Sequence, residues 1–227
     1  MANAIPKAIA SWQRFRIALT ILLFSSPANA VQTSVYEFSN SLEGWSWQWH
    51  IDNGGPSVRP GEVALSNERG FNDSSSLKFD MGSGTGDDGT LWIEKQFSVP
   101  AGIKTPVSVS FQLYSTSESF VNNFQVKAYI GVDDPQQQRD LQTIGQTNLA
   151  AGWMPYSLSS SILAPEETVW VALGIRVSWE THRDYWIDHV TVTTVPEPRW
   201  ASVLSLLVAL FFRVERNPRA RVPAKRG

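Results

Sequence analysis

The chain of 227 residues has 42% hydrophobic content, no cysteine, and 19 basic against 21 acidic side chains. Its length supports one medium core or two very small ones, and the lack of cysteine excludes a disulfide framework, a thiol nucleophile and cysteine-ligated zinc or iron–sulfur centres. The net charge of −2 shows no basic excess of the kind that marks nucleic-acid binders. It averages a +3 segment at 1–30, a −10 body at 31–195 with 9 basic and 19 acidic side chains, and a +5 segment at 196–227.

Residues 1–30 read as a secretory signal. Lys7, Arg14 and Arg16 precede the apolar run IALTILLF at 17–24, expected to be helical; Pro27 ends it, and Ala28-Asn29-Ala30 puts small residues at −3 and −1. Signal peptidase is therefore expected to cut after Ala30, leaving an exported body.

From 31 to 194 the chain shows period-2 runs separated by Gly, Pro, Asn, Asp and Ser clusters, the pattern of an all-β antiparallel sandwich forming one domain. Strands are expected at 35–38, 45–51, 63–65, 76–81, 91–99, 107–114, 123–131, 153–158, 168–179 and 185–194. Alternation gives each a buried side. Val107, Val109, Phe111 and Leu113 share one face, as do Phe124, Val126, Ala128 and Ile130, and Val169, Val171, Leu173, Ile175 and Val177. If these three strands are neighbours, their other faces form one patch of Gln112, Tyr114, Gln125, Lys127, Tyr129, Trp170 and Arg176. An aromatic platform with planar or charged hydrogen-bonding groups suits a pyranose, whose C–H face is apolar and whose rim carries hydroxyls. Ala172 and Gly174 beside Trp170 would leave room for the ring; the alternative is a solvated outer sheet.

In SLEGWSWQWH, at 41–50, Trp45, Trp47 and Trp49 fall on one strand face. Core packing suits Trp45 and Trp47, whereas Trp49 and His50 approach a loop at 51–61 and could stack on a ligand at its rim. Eight tryptophans lie in the body. In YWIDHVTV, at 185–192, parity directs Asp188 inward with Trp186, Val190 and Val192. A buried carboxylate needs backbone N–H donors, a cation or a metal. Glu37 in the first strand and Asp80 are candidate co-ligands, and calcium suits oxygen-only donors.

Nothing points to catalysis. His50, His182 and His189 are widely spaced without a metal-ligand motif, and no nucleophile elbow occurs. The glycine-rich GSGTGDDG at 82–89 lacks phosphate-binding partners, which leaves a loop with Asp87 and Asp88 as a cation-attracting pair, and THRD at 181–184 reads as a turn. No catalytic residue is expected.

After the prolines of VPEP at 195–198 comes an apolar run of thirteen residues uninterrupted by charge, WASVLSLLVALFF at 200–212. As a helix they would reach only ~20 Å against a hydrocarbon core of ~30 Å. Arg213, Arg216, Arg219, Arg221, Lys225 and Arg226 follow, charge that stays cytoplasmic. This ending, with Pro196, Glu197, Pro198, the short apolar helix and Arg213 in order, resembles the PEP-CTERM sorting signal of Gram-negative bacteria that possess an exosortase. The run lacks the glycine many members carry, and the tail runs about ten residues past the usual stop. The resemblance implies transient membrane insertion through 200–212, cleavage near Pro196-Glu197-Pro198 by an exosortase-like enzyme, and release to the cell envelope, outer surface or extracellular matrix. A plain C-terminal anchor is the alternative.

The body resembles the galactose-binding-like jelly rolls that include many bacterial carbohydrate-binding modules. FSNSLEGW, SSSLKFDM, WIEKQFSVPAG, WMPYSLSS and WIDHVTV, in that order, carry the likeness. It implies a non-enzymatic exported protein that binds or associates with extracellular polysaccharide and holds a structural Ca2+ near the first and last strands. A matrix or adhesive protein without a sugar site, or a glycan-active hydrolase, are the alternatives.

Overall fold

The computed structural model describes residues 31–51, 61–82, 89–121, 123–177 and 182–195. The expected signal segment with Ala28 and Ala30, the loop acids Asp87 and Asp88, and the sorting tail with Pro196, Glu197, Pro198, Arg213 and the apolar run lie outside them. Among the described residues no helix is long and apolar enough to cross a membrane.

Among the described residues eleven strands form two sheets: β1 (Gln32–Tyr36), β2 (Ser46–Ile51), β3 (Gly61–Ser66), β4 (Ser76–Met81), β5 (Gly89–Ser98), β6 (Lys104–Ser115), β7 (Gln125–Gly131), β8 (Gln142–Gln146), β9 (Gly152–Leu163), β10 (Thr168–Val177) and β11 (Arg183–Thr194). One sheet runs β3-β4-β11-β6-β9, with β1 also on β11; the other runs β2-β5-β10-β7-β8. Every pairing is antiparallel. The described residues thus form an all-β sandwich of the jelly-roll type. Strand β11 organises the larger sheet: β4 pairs with its first half, β1 with its second, and β6 lies along its other edge.

The alternating apolar residues of both sheets meet in one core. Val107, Val109, Phe111 and Leu113 of β6 pack with Leu77, Phe79 and Met81 of β4, Leu91 and Ile93 of β5, Val126 and Ala128 of β7, and Val169 to Ile175 at every second position of β10, all within a few per cent of full burial. Fully burying each aliphatic or aromatic side chain contributes about 1.5–3 kcal/mol, so this shared face is what fixes the register of both sheets. Strand β8, Gln142–Gln146, is an element the sequence did not suggest. It is a short polar edge strand whose one apolar residue, Ile144, packs on the core.

The inward placement of Asp188 is corrected. Asp188 pairs with Gln112, but the next β11 residue in register is Thr191, opposite Ser110, so β11 carries one extra residue there. His189 takes up the bulge at φ 50°. The bulge inverts parity: Tyr185, Ile187, Val190 and Val192 enter the core, while Asp188 turns outward with Trp186, beneath the 67–75 segment that joins β3 to β4.

Candidate functional site

The outer face of the five-stranded sheet gathers most of the expected ligand-contacting side chains. Gln125, Lys127 and Tyr129 of β7 lie in register with Arg176, Gly174 and Ala172 of β10, and Trp170 stands between Gly131 and Gln96 of β5. His50 of β2 sits opposite Thr90 and shares that face. Gly131 is required here: a Cβ on it would fall 2.0 Å from the Tyr129 phenol oxygen, so the Tyr129 ring lies across Gly131, beside half-buried Trp170. The Tyr129 hydroxyl donates to the carbonyl of Asp133 at 2.8 Å. At the other end Lys127 Nζ donates to Thr143 Oγ1 at 2.9 Å, Thr143 Oγ1 donates to Gln125 Oε1 at 3.0 Å, and Arg176 Nη1 approaches the same Gln125 oxygen at 3.4 Å. The result is two aromatic side chains, Tyr129 and Trp170, on neighbouring strands at one end and an oriented cationic and amide cluster at the other.

Two expected members are elsewhere. Gln112 and Tyr114 lie on β6, in the six-stranded sheet, because β6 pairs with β9 and β11 and not with β7 or β10. Trp49 also parts from His50: successive strand residues face opposite ways, and Trp49 packs on the core together with Trp47 and buried Trp45. Nor do Ala172 and Gly174 leave a gap. Trp92 of β5 fills it, packed with Leu141, Ala172 and Tyr129; a Cβ on Gly174 would stand 2.6 Å from the Trp92 Cβ.

Trp92 and its neighbours were not singled out from the sequence, although the alternation Thr90, Trp92, Glu94, Gln96 was there to read. The Trp92 indole donates to Glu94 Oε2 at 2.7 Å, and Thr90 Oγ1 donates to Gln138 Oε1 at 2.8 Å. Thr90, Trp92 and Glu94 are nearly inaccessible although they belong to the outer face, and Gln138, from the turn before β8, is buried with them. Burial pushes the Glu94 carboxyl up, with the Asp134 charge adding to it, against the hydrogen bonds from Trp92 and Gln48.

The outer face of the six-stranded sheet is covered by the 67–75 segment. Arg69 lays its guanidinium 4.4 Å from the Tyr114 ring centre and 5.0 Å from that of Trp186. Tyr114 in turn meets Trp153 and Trp186 edge-on at 5.4 and 5.7 Å, and Phe71 meets Trp153 at 5.7 Å. Asp188 is fully buried under this cover and is satisfied by main-chain donors, Phe71 N–H at Oδ2 and His189 N–H at Oδ1, each 2.7 Å. Burial holds its carboxyl up at about 6 despite those two bonds, and the charges of Glu37 and Asp73 add to the rise.

Of the three expected metal ligands, Glu37 and Asp188 lie close to one another and Asp80 does not join them. Asp80 is in register with Asp184, four residues before Asp188 on β11. The remaining pair offers too few oxygens for a calcium cage, which takes 6–8 oxygens: both Asp188 oxygens already accept N–H groups, Glu37 Oε1 is held by His189 Nδ1 at 2.7 Å, and only Glu37 Oε2 is buried without a hydrogen bond. Asp80 instead meets His182 and Asp184, both of which the sequence placed in a turn; Asp184 belongs to β11, which begins at Arg183 because Arg183 and Asp184 pair with Met81 and Asp80 of β4. The ligand atoms of Asp80, His182 and Asp184 all lie within 4.8 Å of one another, an acidic and histidine group capable of holding a metal ion.

No protein-family model matches the chain, and no curated protein does. Among solved structures it is similar to the carbohydrate-binding module CBM27-1 of Caldicellulosiruptor saccharolyticus, solved with mannohexaose, at 13% identity over 71% of this chain and 97% of that one, with a TM-score of 0.46. The CBM22-1 xylan-binding domain of Paenibacillus barcinonensis Xyn10C is similar at 12% identity, 75% and 98% coverage and TM-score 0.43. The K1 cleaved adhesin domain of Lys-gingipain from Porphyromonas gingivalis is similar at 13%, 71%, 97% and 0.46. Values this low leave the ligand to be read from the chain's own side chains.

Proposed function

We propose that this chain is a non-enzymatic exported protein whose sandwich binds polysaccharide along the outer face of its five-stranded sheet. One observation carries the reading: Trp170 stands in register beside Gly131, which the Tyr129 ring crosses, and both aromatics share a face with Gln96, Gln125, Lys127 and Arg176. Rings of this kind receive the C–H face of a pyranose, and amide and guanidinium groups receive its hydroxyls. Five strands at about 4.8 Å spacing give a face about 19 Å wide, a span for an oligosaccharide segment and not for a single sugar. The acidic body, net −10 over 31–195, disfavours nucleic acid.

The route to the surface follows from the two ends. Signal peptidase removes residues 1–30, the 200–212 run holds the chain briefly in the membrane, and an exosortase-like enzyme acts near Pro196-Glu197-Pro198, delivering the body to the envelope or extracellular matrix of a Gram-negative-type bacterium. The supports are the ordered motifs themselves. Mass spectrometry of the secreted form tests this: a start at Val31 and loss of the tail are expected, and a start at Met1 overturns it.

Affinity electrophoresis through a panel of polysaccharides tests the binding. Retardation by at least one, relieved by Trp170→Ala, is expected. No retardation by any favours a matrix protein without a sugar site, and hydrolysis of the glycan favours the hydrolase alternative.

A further inference from the structure

On the other sheet, far in the strand order from the proposed glycan face, the geometry points to a divalent-cation site formed by Asp80, His182 and Asp184, suited to a borderline ion such as zinc. Strands β4 and β11 place Asp80 and Asp184 directly opposite each other. His182, one residue before β11, brings Nε2 to 2.8 Å from Asp80 Oδ1 and 3.5 Å from Asp184 Oδ1. Ligand atoms bound at about 2.0–2.2 Å in a tetrahedral zinc site stand roughly 3.3–3.6 Å apart, so small rotations of the half-exposed His182 and Asp80 side chains bring the set around an ion.

A second observation is independent of the clustering. The Asp184 side chain is 23% exposed, but its Oδ1 atom is shielded from solvent and accepts no hydrogen bond; its one contact is the long approach of His182 Nε2 at 3.5 Å, whereas shielded carboxylate oxygens ordinarily accept one. Its sister oxygen, Oδ2, is held by Lys78 Nζ at 3.0 Å, and Lys78 is itself tied to Glu68. Lysine thus fixes the carboxylate with Oδ1 on the His182 side. A cation among Asp80, His182 and Asp184 would replace the long His182 contact at Asp184 Oδ1 with a direct ligand bond and neutralise two facing carboxylates.

The donor set chooses the class of ion. One imidazole nitrogen with two carboxylates suits zinc and its first-row neighbours, whereas calcium takes oxygen donors in larger number. Three protein ligands leave a position for water. Asp80 also lines a concavity of about 510 Å³ with Glu62, Ser66, Glu68 and Lys78, so the water-bearing ion would stand at its margin. The ion would join the end of β4 to the start of β11, whose pairing is confined to five residues.

The test is calorimetric titration of the purified, untagged full-length chain with zinc chloride in metal-free buffer at pH 7.5. One ion per chain is expected. His182→Ala and Asp184→Asn should each weaken binding at least about tenfold, since even outer-shell changes at metal sites cost 10–100-fold. His189→Ala and Glu37→Gln should leave it unchanged, and excess calcium should not compete. On the wild-type chain, Mn2+ should broaden the amide signals of Asp80, His182 and Asp184 before those of other residues. No binding, binding indifferent to His182→Ala, or broadening centred elsewhere would overturn the inference. Glycan retardation is read separately, so failure of either proposal leaves the other standing.

Discussion

Replacing Asp188 by Asn gives a quantitative test of the buried carboxylate under the 67–75 segment. The group's ordinary value is 3.8, and in the fold it lies at about 6, raised chiefly by burial. A raised carboxyl favours folding in its protonated form, so it imposes no penalty below pH 4, where both states are protonated. Stability is then lost as pH rises through 6. Two pH units at about 1.36 kcal/mol each give a loss of about 3 kcal/mol between pH 4 and 7, or roughly 6–12 °C in Tm for a domain of this size. Asn cannot ionise, so this slope vanishes. It also turns an amide NH2 toward either the Phe71 or the His189 N–H, a pH-independent cost of about 1–3 kcal/mol. Thermal or urea unfolding of both proteins from pH 4 to 7.5 should therefore show Asp188→Asn clearly less stable at pH 4 and close to wild type, or better, at pH 7. A stability difference that stays flat within about 1 kcal/mol across that range would refute the desolvated placement of Asp188.

Three further outcomes are expected. Gly174→Ala should lower stability by about 1–3 kcal/mol, the usual range for an overpacked site, because its Cβ would stand 2.5 Å from the Leu91 carbonyl oxygen; urea midpoints check it. Arg69→Ala, which removes a guanidinium lying over two rings, should cost about 1–2 kcal/mol and speed amide exchange at Phe71, leaving glycan retardation intact. Tyr129→Ala should weaken glycan binding about as much as Trp170→Ala, while Trp153→Ala, on the opposite sheet, should not.

The fold was legible because alternation is a local signal. The inward residues of β6, β7 and β10 could be read directly, since each strand has one continuous apolar face. What alternation cannot tell is which strands are neighbours. Gln112 and Tyr114 were grouped with Trp170 for that reason, although β6 belongs to the other sheet. A single added residue was equally hidden: nothing in YWIDHVTV announces a bulge at His189, yet it decides that Asp188 lies under a loop and not in the core. Strand β8 escaped because QTIGQ has one apolar residue and a glycine. The Asp80, His182 and Asp184 group joins positions 102 and more residues apart, a proximity that only strand pairing creates.

The central claim is that glycan is held on the outer face of the five-stranded sheet, and NMR titration of the isotope-labelled protein with an oligosaccharide fragment of a retarding polysaccharide tests it most directly. Shifts concentrated on the side-chain signals of Trp170, Tyr129, Gln96, Gln125 and Arg176, saturating together, are the predicted result. Shifts confined to the six-stranded sheet around Trp153, Tyr114 and Phe71 would contradict it.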